Sequence, residues 1–469
     1  MIQDKNSKAG IMSRFLDWRQ RHVSELPFLF ILATVVGVIS GVCAFLLKHS
    51  IAFVSRLITD HLAADSFNWW LVLIPLAGLV LTGLLTRNLM HARLSHGVRR
   101  LKAELKLKDY YQAPSRMVYA MIASTVTLGF GGSAGSEGPI ACTGAAIGGN
   151  FGRWFGLSRR GLLLMIGCGA GAGIAGIFKA PLGGALFTLE VLRIPMSTPA
   201  MLVLLVCTIA AGMTAYALGG FVMDVPMADA GMSFDYSLIW WLILLGVASG
   251  VYSLYYSYIM KLIERWLTRL RYPLLRNIVG GLIVGVGVMF FPSLYGEGYG
   301  VVGHVLNGDI SSVVADGLFA SCGDAVSVLL LVMAMTLAFK CFATSATNSG
   351  GGVSGEFAPT LFAGCLFGCL FAMSLNQWFG LGLPVEMFAL FGMAGVMAGA
   401  IRAPLMALLL TSEMVGSYGC FLPLLIVSGL SFGIVRLFTF DDFYSRHADR
   451  NNGLLSWFNR AFHIGHTKK

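Results

Sequence analysis

Two short stretches combine glycines with groups that could hold an anion or compete with one. The first, "GGSAGSEGPIACTG" at 131–144, carries a single carboxylate, Glu137, between Gly135-Ser136 and Gly138-Pro139. The second, "NSGGGVSGEFAPTLFAG" at 348–364, sets Glu356, Phe357 and Ala358 ahead of Pro359. In each, a glycine-rich turn precedes an apolar run able to form a helix, and proline is at home in a helix's first turn. Pro139 and Pro359 therefore predict two helix N-termini. Their unpaired N–H groups, with the positive end of the helix dipole, form a ready anion site. Glycine lets the backbone approach an ion with no Cβ in the way. Neither turn ends in Gly-Lys-Ser or Gly-Lys-Thr, so a nucleotide-binding phosphate loop is not supported. From position alone Glu137 is either a cap on its own helix, a charge facing water, or a group with a function.

The elements that must position these turns are membrane helices. Of the 469 residues 56% are hydrophobic and only 12% charged, about half the charged fraction of a soluble domain, and the mean hydropathy is +0.75. "MLVLLVCTIAAGMTAYALGGF", from Met201, lies in a stretch without charge between Pro195 and Asp224 and is long enough to span a bilayer. Its run does not alternate apolar and polar residues as a barrel strand would. The chain reads as an all-α polytopic membrane protein. The net charge of +10 is not a nucleic-acid signal. Basic residues gather in short loops, eight Lys and Arg against two acids at 87–116, which is the pattern of cytoplasmic loops and puts both termini in the cytoplasm. Residues 1–27 are polar and show no cleavable signal peptide. Nine cysteines are scattered through apolar segments without metal-ligand spacing and read as packing residues, with no metal and no cofactor expected.

Apolar segments recur from near Pro27 to about Phe440 and are broken by Gly or Pro near 130–140, 173–183, 349–360 and 394–405. A break at membrane depth frees backbone groups that only protein or a water-filled cavity can cover, so four breaks predict a polar pathway through the centre. The breaks are related to each other. "AGIFKAPLGGALFTLE" (175–190) aligns without gaps on "AGAIRAPLMALLLTSE" (398–413), with eight of sixteen positions identical and Glu190 matched to Glu413. "GSEGPIACTGAAIG" (135–148) aligns on "GEFAPTLFAGCLFG" (355–368), and the offsets, 223 and 220, nearly agree. This is an internal duplication, and paired interrupted segments point to a transporter's binding site. The expected segments are a cytoplasmic stretch 1–26, a first membrane repeat 27–223, a second 224–440, and a short cytoplasmic tail 441–469.

Three motifs together resemble the CLC family of chloride channels and proton/chloride exchangers, over roughly residues 27–450. Gly135-Ser136-Glu137-Gly138-Pro139 matches its G-x-E-G-P motif, Gly355-Glu356-Phe357-Ala358-Pro359 its G-x-F-x-P motif, and Tyr444 in "DDFYSRH" a late tyrosine. The resemblance implies an inverted repeat of two helical halves with broken intramembrane helices, and a homodimer with one anion pathway per subunit. It implies chloride held by backbone N–H groups around Glu356, Phe357 and Ala358, near Gly138, with the Tyr444 hydroxyl as a further donor. It gives Glu137 the role of gate, a carboxylate that occupies the outer anion site and is released by protonation.

The chain departs from that family in three places. The first ion-binding motif falls on Ser95-His96-Gly97-Val98-Arg99, so His96 stands where a serine hydroxyl is common and Arg99 replaces a proline. His96 is a chloride-binding candidate there, and equally a solvated histidine in a basic loop. The position at which exchangers often carry an inner proton-transfer glutamate is Val191, which cannot carry a proton. Glu190 before it has an equivalent in Glu413, so the pair is expected to brace the two halves. Glu356 stands where the family is apolar. Its carboxylate would repel a chloride 5 Å away by ~3 kcal/mol at an effective dielectric of 20, so it is expected to point away, onto Lys340 or Arg402. The reading is a chloride channel of the voltage-gated type in a bacterial inner membrane, gated by Glu137, not an enzyme. A proton-coupled chloride antiporter of the same fold is the alternative. A fluoride exporter is disfavoured by Pro139, and an intramembrane hydrolase using Ser136 or Ser133 with His96 by the absence of any repeated catalytic arrangement.

Overall fold

A computed structural model describes residues 22, 24–59, 70–89, 97–106, 112–222, 225, 234–313 and 326–439. Among them are sixteen α-helices and no strand. The first half holds α1 (Glu25–Thr59), α2 (Trp70–Leu84), α3 (Gly97–Lys106), α4 (Arg116–Gly129), α5 (Glu137–Trp154), α6 (Arg159–Phe178), α7 (Pro181–Leu186) and α8 (Thr198–Leu218). The second holds α9 (Ile239–Thr268), α10 (Pro273–Phe290), α11 (Tyr299–Leu306), α12 (Val326–Ser349), α13 (Phe357–Phe379), α14 (Val385–Met397), α15 (Pro404–Val415) and α16 (Phe421–Phe438). Ten helical segments are long and apolar enough to cross a membrane. The chain is an integral, multi-pass membrane protein.

The breaks fall where glycine and proline placed them. α4 stops at Gly129 and α5 starts at Glu137, while α12 stops at Ser349 and α13 starts at Phe357. Pro139 and Pro359 each take the third position of their helix. The other two breaks form a matched pair: α6 ends on Lys179 with φ 54°, and the π-turn after α14 ends on Arg402 with φ 63°. Left-handed backbone is costly for a side chain with a Cβ. Here it is repeated at equivalent positions, each followed by Ala-Pro with the proline opening a helix.

Two sets of contacts show how the halves are related. Gly135 N donates to Gly355 O at 3.2 Å, and Gly355 N donates back to Gly135 O. Equivalent residues thus pair antiparallel with each other. Glu413 accepts from Leu182 N (3.0 Å) and Gly183 N (2.8 Å) at the start of α7, and Glu190 accepts from Leu405 N (3.3 Å) and Met406 N (2.8 Å) at the start of α15. Each acid caps the helix of the opposite half, as a two-fold relation requires. The expected brace is present, and both acids are held at helix N-termini, where a carboxylate is stabilised.

Close packing is duplicated too. A Cβ on Gly144 or Gly148 of α5 would run into the backbone oxygens of Gly169 or Met165 on α6. Their equivalents on α13, Gly364 and Gly368, meet Gly392 O and Phe388 O of α14 in the same way. Without a hydrophobic drive between helices in lipid, such backbone approach supplies the packing that holds them.

Candidate functional site

The α4–α5 pair is a hairpin whose turn lies deep in the protein. Asn150 near the end of α5 donates to Gln112 O at 3.0 Å, just ahead of α4, while residues 131–141 at the turn are all buried. The turn is folded back by Gly131, whose φ of 83° suits glycine alone and whose Cβ would collide with the Tyr295 ring. Its glycines let 131–138 lie against 350–357 of the other half. A Cβ on Gly138 would press on Ser354 O and Gly355 Cα. The two helix starts, Glu137 and Phe357, are thereby brought side by side.

The Glu137 side chain is fully buried and reaches across to the other helix start. Its Oε1 accepts from Ala358 N at 3.0 Å and from the Tyr299 hydroxyl at 2.9 Å. A carboxylate oxygen thus sits on a free amide of the α13 N-terminus, the kind of donor an anion uses. Its Oε2 is buried, with no hydrogen-bond partner among the described residues. Through Oε1 Glu137 thus reaches the helix start of the opposite half.

On one side of this carboxylate a cavity of about 150 Å³ is lined by Gly138, Val191, Glu356, Phe357 and Arg99, among others. Four residues singled out in the sequence meet there. Phe357 on its wall packs edge to face with Phe187, ring centres 5.7 Å apart. The Glu356 carboxylate does turn away from the helix start, but not to the expected partners. Arg99 Nη2 donates to it at 2.6 Å, while Arg99 Nη1 holds Glu264 of α9 at 2.8 Å. Lys340 is fully buried elsewhere, donating to Ser133 Oγ at 2.9 Å beneath the Phe362 ring. Arg99, noted only for replacing a proline, is thus the residue that disposes of the extra charge. His96 and Tyr444 lie outside the described residues.

On the other side of the carboxylate stand residues with no counterpart in the duplicated motifs. Ser136 N and Oγ both donate to Glu297 Oε1, at 2.9 and 2.6 Å, and Tyr299 two residues later reaches Glu137. Phe178 stands edge-on to the Tyr299 ring at 6.3 Å, and Lys48 lies over that ring at 5.7 Å. Only "GEGYG", a glycine-flanked Glu and Tyr at 296–300, signalled this segment in the sequence. Further out, α3 is tied down by Glu104, which accepts from Arg100 and Arg116 at 2.9 Å each. Burial works against that charge, yet hydrogen bonds from Arg116, Arg100 and Gln112 outweigh it and hold the carboxyl below its ordinary value. The link is therefore made at neutral pH and lost as the pH falls through that lowered value.

Comparison with known proteins agrees with this architecture. The family described as "Voltage gated chloride channel" matches residues 78–436. A voltage-gated ClC-type chloride channel, ClcB, of Escherichia coli is 27% identical over 439 residues, covering 90% of this chain and 99% of that protein. The Shigella flexneri protein of that name is equally similar. Among solved structures, a slow cyanobacterial Cl⁻/H⁺ antiporter superposes with a TM-score of 0.76 at 24% identity, covering 92% of this chain and 97% of that one. A CLC-type fluoride/proton antiporter does so with 0.72 at 23% identity, covering 88% and 96%. With the family match spanning both halves and every break, the chain belongs to the CLC family of voltage-gated chloride channels.

Proposed function

We propose that the chain carries chloride across the membrane, with Glu137 as the gate. The observation that carries this reading is the Glu137 carboxylate on the Ala358 amide. A carboxylate and a chloride are acceptors of one charge competing for the same donor. Protonation of Glu137 removes its claim on that amide, so acid opens the path. Chloride then rests at the start of α13 on the Phe357 and Ala358 amides, beside Gly138 and between Glu137 and the inner cavity. Tyr444 and His96 are proposed further donors. Val191 on the inner cavity stands where exchangers often carry a proton-transfer glutamate and cannot take a proton on, which favours passive channel behaviour.

The second reading, a proton-coupled chloride antiporter, is favoured by the plug itself: a gate that opens by taking up a proton has already moved one. Its test is the reversal potential in reconstituted bilayers under a pH gradient. A channel reverses at the chloride potential whatever the gradient; a shift with pH establishes coupling. For the gate, Glu137→Gln is expected to raise chloride efflux from proteoliposomes at neutral pH and to weaken its activation by acid. Unchanged efflux and pH response would remove Glu137 from the role. We place the protein in a bacterial inner membrane as a homodimer with one pathway per subunit, its repeats spanning 27–223 and 224–440.

A further inference from the structure

We propose that Glu297 is a second gating carboxylate, plugging the start of α5 as Glu137 plugs the start of α13. The inference rests on the gating role of Glu137. The two acids stand in a reciprocal arrangement. Ser136, the residue before Glu137, gives both its amide and its hydroxyl to Glu297. Tyr299, two residues after Glu297, gives its hydroxyl to Glu137. The helix starts that the fold brings together in the membrane are thus each occupied by a carboxylate from another segment. An anion using the donors of both must displace both.

The charges around the pair fit this arrangement. Lys340, fully buried on α12, interacts electrostatically with both Glu297 and Glu137. One buried amine faces two acids, so each proton the cluster takes up makes it more positive and a better host for an anion. Among the described residues, the other titratable groups around it are Tyr299, Lys48 over the Tyr299 ring, Tyr295, whose hydroxyl donates to Gly129 O, Tyr256, which interacts with Glu137, and Cys341, which interacts with Lys340. Loss of charge at Glu297 weakens its hold on the Ser136 amide and hydroxyl, so that an incoming anion can displace it. Loss of charge at Glu137 frees the Ala358 amide further in. Both acids must be neutral for the path to open, so above both macroscopic pKa values of the pair the opening rises with the square of the proton concentration, against the first power for one gate.

The test is chloride efflux from proteoliposomes as a function of pH for the wild-type chain, Glu137→Gln, Glu297→Gln and the double variant. Glutamine keeps the size of the side chain and an oxygen that accepts from Ser136, so a merely structural Glu297 is left intact. The titration stops at about pH 5, before the Glu104 link that docks α3 is lost. The expected result is acid activation with a limiting slope, at the alkaline end of the titration, of about two protons in the wild type and about one in each single variant. In the double variant acid activation disappears. A wild-type slope in Glu297→Gln, or no acid activation left in Glu137→Gln alone, overturns the proposal while leaving Glu137 as the gate. A Glu137→Gln that behaves as wild type overturns the gate and this inference with it.

Discussion

At the scale of single residues, the site is a problem of placing negative charge near a path for anions. In the proposed reading Glu137 belongs there as a competitor, and Glu356 does not. The Arg99 guanidinium resolves the conflict by holding Glu356 against Glu264 on α9. Half-exposed ion pairs add little to stability, so the value of this one lies in where it keeps the charge. Arg99→Gln is therefore expected to leave the protein folded and lower chloride flux. The unscreened repulsion of ~3 kcal/mol at 5 Å sets an upper limit near 100-fold, and solvent reduces it to several-fold. Arg99→Gln combined with Glu356→Gln restores the flux, because the offending charge is gone. A fall in flux that the second substitution does not rescue would show that Arg99 acts on the path directly.

At the scale of elements, the fold depends on helix starts that are filled from elsewhere. α7 and α15 begin at Pro181 and Pro404, whose neighbours' amides are taken by Glu413 and Glu190 from the opposite half. Replacing either acid with alanine removes a cap worth about 0.5–2 kcal/mol, so each variant should melt earlier in detergent, by similar amounts. A large effect in one and none in the other would break the equivalence of the two halves. This brace was legible because both partners lie in the duplicated segment and align. The helix starts at Glu137 and Phe357 were legible for the same reason, through glycine, proline and repetition. The contacts that close the site were not. Arg99 meets partners 165 and 257 residues away, and Glu297 meets Ser136 across 161. The short α11 has no repeat to draw attention to it. A single sequence shows which positions are constrained by local chemistry and duplication. Contacts made by long-range packing leave no such periodic trace.

At the scale of the whole molecule, an inverted repeat places equivalent parts on opposite faces of the membrane, and the charges sort accordingly. Ser158, in the turn between α5 and α6, donates to Glu25 at the start of α1, and Arg153, Arg159 and Arg160 surround that turn. α9 ends among Lys261, Arg265, Arg269 and Arg271, and its Glu264 is tied through Arg99 to the basic α3. The equivalent turn between α13 and α14, "GLGLP" at 380–384, carries no charge at all. With basic turns on one face and an uncharged one on the other, the positive-inside rule predicts that the start of α1 and the end of α9 are both cytoplasmic. The exposed Ser158 and Gln377 near these two turns should then lie on opposite sides. In a background with the native cysteines replaced, Ser158→Cys and Gln377→Cys in sealed spheroplasts give a direct readout with a membrane-impermeant maleimide. Label is expected on position 377 in intact cells and on position 158 only after lysis. Labelling of both from the same side would mean that the halves run parallel, and the antiparallel pairing of Gly135 with Gly355 could not then mark a two-fold axis in the membrane plane.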